Sequence, residues 1–222
     1  MKTITDQEIQ IIKDLHNKYV IKGPFNEAFT DLIWTHSMIV ADIAEQIAND
    51  LIKQHNITVD LDLLSTGALL HDIGAYQTFD ASLHPTTDYI QHGVLGYKIL
   101  ISEGYEEKIA RFAQCHTGVG LIKDNIHINH LPLPEEDLIP ITLEEELVCY
   151  ADNFHTKSPT FCEYDKIESD LKKSHEENSA RLSYMVRKFG IPDLREIKKK
   201  YATWHMKVNA LKEKYADQLA SL

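Results

Sequence analysis

Several polar side chains in this sequence stand where the apolar rhythm of their segments calls for core. His36 falls on the stripe of Ile33, Val40 and Ile43, and His71 with Asp72 ends the stripe of Leu64 and Ala68. His116 follows Ile109 and Phe112, and Asp152 lies one turn beyond Val148, beside Leu147 and Ala151. An unpaired buried carboxylate is costly, so a core aspartate must find a cation, a metal or a dense set of hydrogen bonds. One buried imidazole needs only a carbonyl partner, whereas several imidazoles and two aspartates on separate segments are all satisfied at once by a shared metal. Mixed imidazole and carboxylate donors suit Fe, Mn, Co, Ni or Zn better than Mg or Ca, so one or two divalent transition-metal ions are the expected cofactor.

The elements that must position these residues read as helices. Apolar residues return every three or four positions over about 5–20, 26–54, 61–72, 91–103, 106–116 and from Thr142 onward, where Thr142 and Glu145 form a capping-box pattern. Gly23-Pro24 breaks the first two helices, Gly74 reads as a left-handed cap after the third, and Gly118 and Gly120 close the helix that ends at His116. Residues 75–89 and the proline-bearing 121–140 read as loops, and the stretch after Asp165 as two amphipathic helices broken at Gly190-Ile191-Pro192. No segment carries a useful strand period, so the expected fold is an all-α helical bundle. The 222 residues suit one domain, with a core of about 26–157 and a C-terminal helical extension of about 158–222.

Composition narrows the partners. A formal net charge of -11 argues against a long nucleic acid, although bound cations would reverse the field locally for a small phosphorylated substrate. Cys115, Cys149 and Cys162 form no CxxC pair and read as reduced thiols. The N-terminal acids and the lack of a long apolar run give no expectation of a signal peptide or a membrane span, so a cytoplasmic protein is expected. A homo-oligomer is left open.

Three strings, WTHSMIVADIA, ALLHDIGAY and LVCYADNF, together resemble the HD superfamily of metal-dependent phosphohydrolases, whose pattern is a helix-borne His, a His-Asp doublet and a final Asp. QHGVLGYKIL and AQCHTGVG are similar to the extra histidine pair of a subset of that family. The resemblance covers about residues 30–157 and implies an HD-domain helical bundle with additional C-terminal helices. It implies that His36, His71, Asp72 and Asp152 hold a first metal, and that His92 and His116 hold a second with Asp72 bridging and serving as the catalytic proton acceptor. A metal pair about 3.5–4 Å apart would activate a water for in-line attack on phosphorus. IGAYQTF lacks the acid of the nucleoside-5′-monophosphatase-like branch, and no GYP motif is present, so the resemblance implies hydrolysis of a small phosphate ester or anhydride, such as a nucleotide, and selects no single substrate. The same ligand pattern also serves di-iron oxygenases, and a non-catalytic metal or ligand-binding module is a third reading.

Lys157 and Lys123 are expected to meet a substrate phosphate. Gly96, one turn after His92, reads as a point of close helix approach, and His84 as a solvated loop residue. His16, His55, His127, His130, His155, His175 and His205 fit no ligand pattern and read as surface or packing residues.

Overall fold

The expected helical rhythm is realised throughout the computed structural model, which describes residues 4–20, 26–80, 84–157, 160–174 and 176–214. Helix α1 (Asp6–Tyr19) opens with a capping box between Thr5 and Glu8. The long α2 (Asn26–His55) is followed by α3 (Leu61–Leu70), whose first turn is capped by the Asp60 carboxylate accepting from the Leu63 N–H at 3.0 Å. Short 3-10 turns at Ile73–Gln77 and Tyr89–Gln91 lead into α4 (His92–Ser102), α5 (Glu107–Cys115) and α6 (Lys123–Ile128). Helix α7 (Leu143–Asp152) carries the expected capping box of Thr142 and Glu145. A hairpin of β1 (His155–Thr156) and β2 (Thr160–Phe161) precedes α8 (Tyr164–Ser174), α9 (Glu176–Phe189) and α10 (Arg195–Lys214). The Gly23-Pro24 break and His175 lie outside the described residues.

Helix α2 packs against α3, α7 and α10, and α4 packs on α5. Ile39, Val40, Ile43, Leu64, Leu70, Phe112, Leu147 and Phe154 are buried in the core that results. Arg111 on α5 forks onto the buried Glu145 of α7, with Nε donating to Oε1 at 2.8 Å, and Asn153 Nδ2 donates to the Gly118 carbonyl at 2.6 Å. The first ties α5 to the opening turn of α7, and the second braces the ends of α5 and α7 where His116 and Asp152 stand.

Three expectations need correction. Gly74 is not a left-handed cap, because it lies within the 3-10 turn and is absent from the positive-φ glycines Gly104, Gly118, Gly120 and Gly190. Its hydrogen is required by packing instead: a Cβ there would stand 2.0 Å from the His92 carbonyl oxygen. The segment after Asp165 forms three helices rather than two, α8, α9 and α10. The β1–β2 hairpin was not expected because two residues per strand are too few to show an alternating pattern. Gly96 meets its expectation, since a Cβ there would approach Ala113 Cβ to 2.8 Å between α4 and α5.

His16 shows how a buried imidazole is satisfied without a metal. It is fully buried, its Nε2–H donates to the Leu69 carbonyl at 2.8 Å, and its Nδ1 accepts from the Tyr76 hydroxyl at 3.0 Å. Burial outweighs the Leu69 hydrogen bond and lowers the pKa to about 4. The unfolded chain therefore binds a proton at His16 below about pH 6.5 while the folded chain does not until about pH 4. Stability from this residue is complete above about pH 6.5 and lost as pH falls toward about 4, by roughly 3 kcal/mol. Urea unfolding at pH 7 and pH 4.5 checks this: His16→Leu should lose less stability between those pH values than the parent, and equal losses contradict the assignment.

Candidate metal centre

The six expected residues meet at one buried point. His71 and His116 are the C-cap residues of α3 and α5, His92 opens α4, Asp152 ends α7, and His36 sits in the middle of α2. His36, His71, Asp72 and His116 are essentially inaccessible and His92 is nearly so, while Asp152 keeps a partly open edge. Ligand atoms of His36, His71 and Asp152 all lie within 4.8 Å of one another, as do those of His71, Asp72 and His116.

Asp72 divides the histidines into two pairs. Its Oδ2 is 3.3 Å from His36 Nε2 and 3.5 Å from His71 Nε2. Its Oδ1 is 3.4 Å from both His92 Nε2 and His116 Nε2. Asp152 Oδ1 completes the first side, 2.9 Å from His36 Nε2 and 3.5 Å from His71 Nε2.

The hydrogen-bond pattern behind the rings decides what the centre wants. His71, His92 and His116 each turn Nδ1 toward a backbone carbonyl, of Ala68 at 2.6 Å, Tyr89 at 2.7 Å and Ala113 at 2.8 Å. A carbonyl only accepts, so each Nδ1 carries the hydrogen and the neutral ring presents an Nε2 lone pair inward. His92 Nε2 and His116 Nε2 face each other at 2.9 Å, an approach that two lone pairs tolerate only around a shared proton or a cation. His71 Nε2 and both carboxylate oxygens of Asp72 are buried with no aligned hydrogen-bond partner. Orphaned imidazole and carboxylate donors converging from several helices fit a divalent transition-metal ion, and no ion is part of this structure.

Lys157 carries the local electrostatics. Its ammonium stands 2.7 Å from Asp72 Oδ2, an ion-pair distance without hydrogen-bond alignment, and the side chain is 18% exposed. Burial presses the Asp72 and Asp152 carboxyls upward, but Lys157 and the surrounding histidines hold both well below the usual range. Burial, then His116 and Lys157, lower His92 to about 3, which keeps it a neutral donor. His71 is raised, because Asp72 and Asp152 outweigh its burial. The other expected cation is elsewhere: Lys123 is exposed in the first turn of α6, where its backbone N–H donates to Asp137, and no contact among the described residues joins it to the cluster. His84 is exposed beside Asp80, as expected for a solvated loop residue.

Two residues near the cluster have more to do than their sequence context suggests. His155, read as a surface or packing residue, is buried with Nδ1 2.8 Å from His36 Nδ1, and its Nε2 is 3.2 Å from His205 Nε2. Burial, with His36 and His205 beside it, holds its pKa well below the usual value. Tyr89 stacks on His92, with ring centroids 4.5 Å apart, and Lys157 lies 5.7 Å from the Tyr89 ring centre. The only hint of His155 in the sequence is its place three residues after Asp152, and nothing marks Tyr89.

The fold and the cluster define an all-α protein with a buried histidine–aspartate centre at its helix ends. The HD domain model matches residues 33–157, more than half of the chain, and the chain belongs to that family. An uncharacterized protein of Methanocaldococcus jannaschii is 34% identical over 77% of this chain and 88% of its own length. The tRNA (cytidine(56)-2'-O)-methyltransferases of Picrophilus torridus and Thermoplasma volcanium are 34% and 29% identical over 58% and 69% of this chain, which spans only 33% and 40% of their lengths. Among solved structures, the HD domain of the L. monocytogenes phosphodiesterase PgpH matches with a TM-score of 0.48 at 20% identity, covering 89% of this chain and 98% of that one.

Replacing Asp72 with Ala removes the one group that faces all four imidazoles. Elemental analysis of Asp72→Ala should show bound metal reduced on the order of tenfold or more, with helical circular dichroism retained. Full metal content in that variant contradicts a shared centre.

Proposed function

We propose that this chain is a metal-dependent phosphohydrolase acting on a small phosphate ester or anhydride, of the nucleotide class. The observation that carries the reading is the division of labour at Asp72, one carboxylate oxygen toward His36 and His71 and the other toward His92 and His116. That division suits a bridging carboxylate, with His36, His71 and Asp152 on one side and His92 and His116 on the other. Divalent ions held there would supply a water of lowered pKa and positive charge against the phosphoryl oxygens.

The protein's own residues do the rest. Carbonyls of Ala68, Tyr89 and Ala113 fix three rings in the tautomer that points a lone pair inward, so little reorganisation accompanies ligand binding. Asp72, held anionic by Lys157, is placed to accept a proton from water within the centre. Lys157 puts a fixed positive charge beside the cluster, suited to a substrate phosphate oxygen. Tyr89, 37% exposed and stacked on His92, offers an aromatic edge at the same mouth, where a nucleobase or sugar would rest. With a net charge of -11, the chain suits nucleotide-sized substrates better than a long strand.

Metal-loaded protein should hydrolyse members of a nucleotide and phosphate-ester panel without oxygen. His92→Ala or His116→Ala should lower bound metal from about two to about one per chain and reduce turnover on the order of a hundredfold or more. Turnover that consumes O₂ would instead identify an oxygenase, and metal retention with no turnover on any ester would identify a binding module. Lys157→Met should raise KM more than it lowers kcat, by roughly tenfold, as expected for loss of a phosphate contact.

A further inference from the structure

His36 differs from the other three clustered histidines in what stands behind it. His71, His92 and His116 lie at helix ends, and each turns Nδ1 to a carbonyl three residues earlier in its own segment. The ladder leaves carbonyls free at helix C-termini, as at Ala68 and Ala113, and the Tyr89 carbonyl, in the 3-10 turn before α4, accepts both the His92 N–H and the ring. His36 lies in the interior of the 30-residue α2, where backbone carbonyls are committed to the helix, so its Nδ1 needs a partner from another element. That partner is His155 Nδ1 on β1, at 2.8 Å, and behind it stands His205 of α10, Nε2 to Nε2 at 3.2 Å.

We infer that His155, backed by His205, is the positioning residue that sets the tautomer and aim of His36, and that the C-terminal helix thereby belongs to the metal centre without supplying a ligand. The inference rests on the reading of His36 as a metal ligand. For His36 Nε2 to present a lone pair to a cation, its Nδ1 must carry the hydrogen and donate it to His155 Nδ1. His155 then carries its own hydrogen on Nε2 and donates it to His205 Nε2, which leaves the His205 hydrogen on Nδ1. A carbonyl could hold only one direction of such a bond, whereas an imidazole can take either. His36 Nε2 stands 2.9 Å from Asp152 Oδ1, so with no cation between them Nε2 would donate to that carboxylate and the row would run the other way; with a cation there, the row holds the hydrogen on His36 Nδ1.

The packing supports a fixed row rather than a loose one. His155 lies edge to edge and nearly coplanar with His36 and with His205, with centroids 5.1 and 5.4 Å apart and interplanar angles of 28° and 19°. Phe161 closes the edge of His155 at 5.0 Å, and Trp204 lies 6.2 Å away. Helix α10 is tied to α2 by the Tyr201 hydroxyl donating to Asp42 at 2.8 Å and by Trp204 Nε1 donating to Asp31 at 3.0 Å. His205 lies beyond the segment that the family model matches, residues 33–157, so this support is supplied by the extension.

The test is zinc affinity of the full-length chain, measured by competition with a chromophoric chelator, together with histidine nitrogen NMR of the zinc-loaded protein. His155→Phe keeps a ring but removes the acceptor, and should weaken zinc binding on the order of 10- to 100-fold. His155→Asn, whose side-chain carbonyl can accept from His36, should stay within about threefold of the parent. In the zinc-loaded parent, His155 should carry its hydrogen on Nε2 and His205 on Nδ1. Unchanged affinity in His155→Phe, or a hydrogen on Nδ1 of His155, overturns the inference while leaving the metal centre standing. A parent chain that takes up no stoichiometric zinc or other transition metal overturns the metal reading, and this inference with it. Should His155→Phe fail to fold, the NMR arm on the unmodified chain still decides.

Discussion

The burial of Asp72 is the constraint to which the rest of the site answers. Its carboxylate is inaccessible to water and lacks an aligned hydrogen-bond donor, yet it is held in the charged form. Moving such a group out of water costs several kcal/mol even after relaxation, and only nearby positive charge can offset that. The structure gathers Lys157 and four imidazoles around it, and three of the rings, His71, His92 and His116, turn lone pairs inward because their outer nitrogens are bound to carbonyls. Lone pairs do not neutralise a carboxylate, and Lys157 supplies one positive charge to the group. The donors are arranged so that a divalent cation could stand between them.

This constraint explains why the helices end where they do. A helix terminus frees carbonyls for the outer nitrogens and lets the following ring point along the axis into the centre, as at His71 and His116. Close backbone approach then brings the termini together. Gly74 lies against the His92 carbonyl, and Gly96 against Ala113, so the turn after the His-Asp doublet, α4 and α5 converge with no side chain between them. The long α2 cannot use the same device, and His36 depends on β1 and α10 instead.

How much of this could be read from the sequence follows from the range of each interaction. His36, His71, Asp72, His116 and Asp152 were legible because each interrupts a 3.6-residue apolar stripe, a signal written within one helix. His92 opens its helix, with no earlier turn to mark a face, and came into view only through the family resemblance. Lys157 stood out by closeness to Asp152, but Lys123 had the same standing and lies on an exposed helix away from the cluster. His155 and His205 could not be paired, since they are 50 residues apart and meet only because α10 docks on α2. The role of Gly74 was misread for a related reason: a glycine after a helix has the same local signature whether it is needed for φ or for close approach, and the neighbour that decides, His92, is distant in sequence.

The central claim is that two cations share Asp72, and anomalous X-ray scattering from a crystal of the metal-loaded protein tests it most directly. Data collected on either side of the absorption edge of the bound metal should show two peaks flanking the Asp72 carboxylate, about 3.5–4 Å apart. One peak should lie among His36, His71 and Asp152, the other between His92 and His116. A fully loaded protein with no anomalous peak among these six residues would contradict the account.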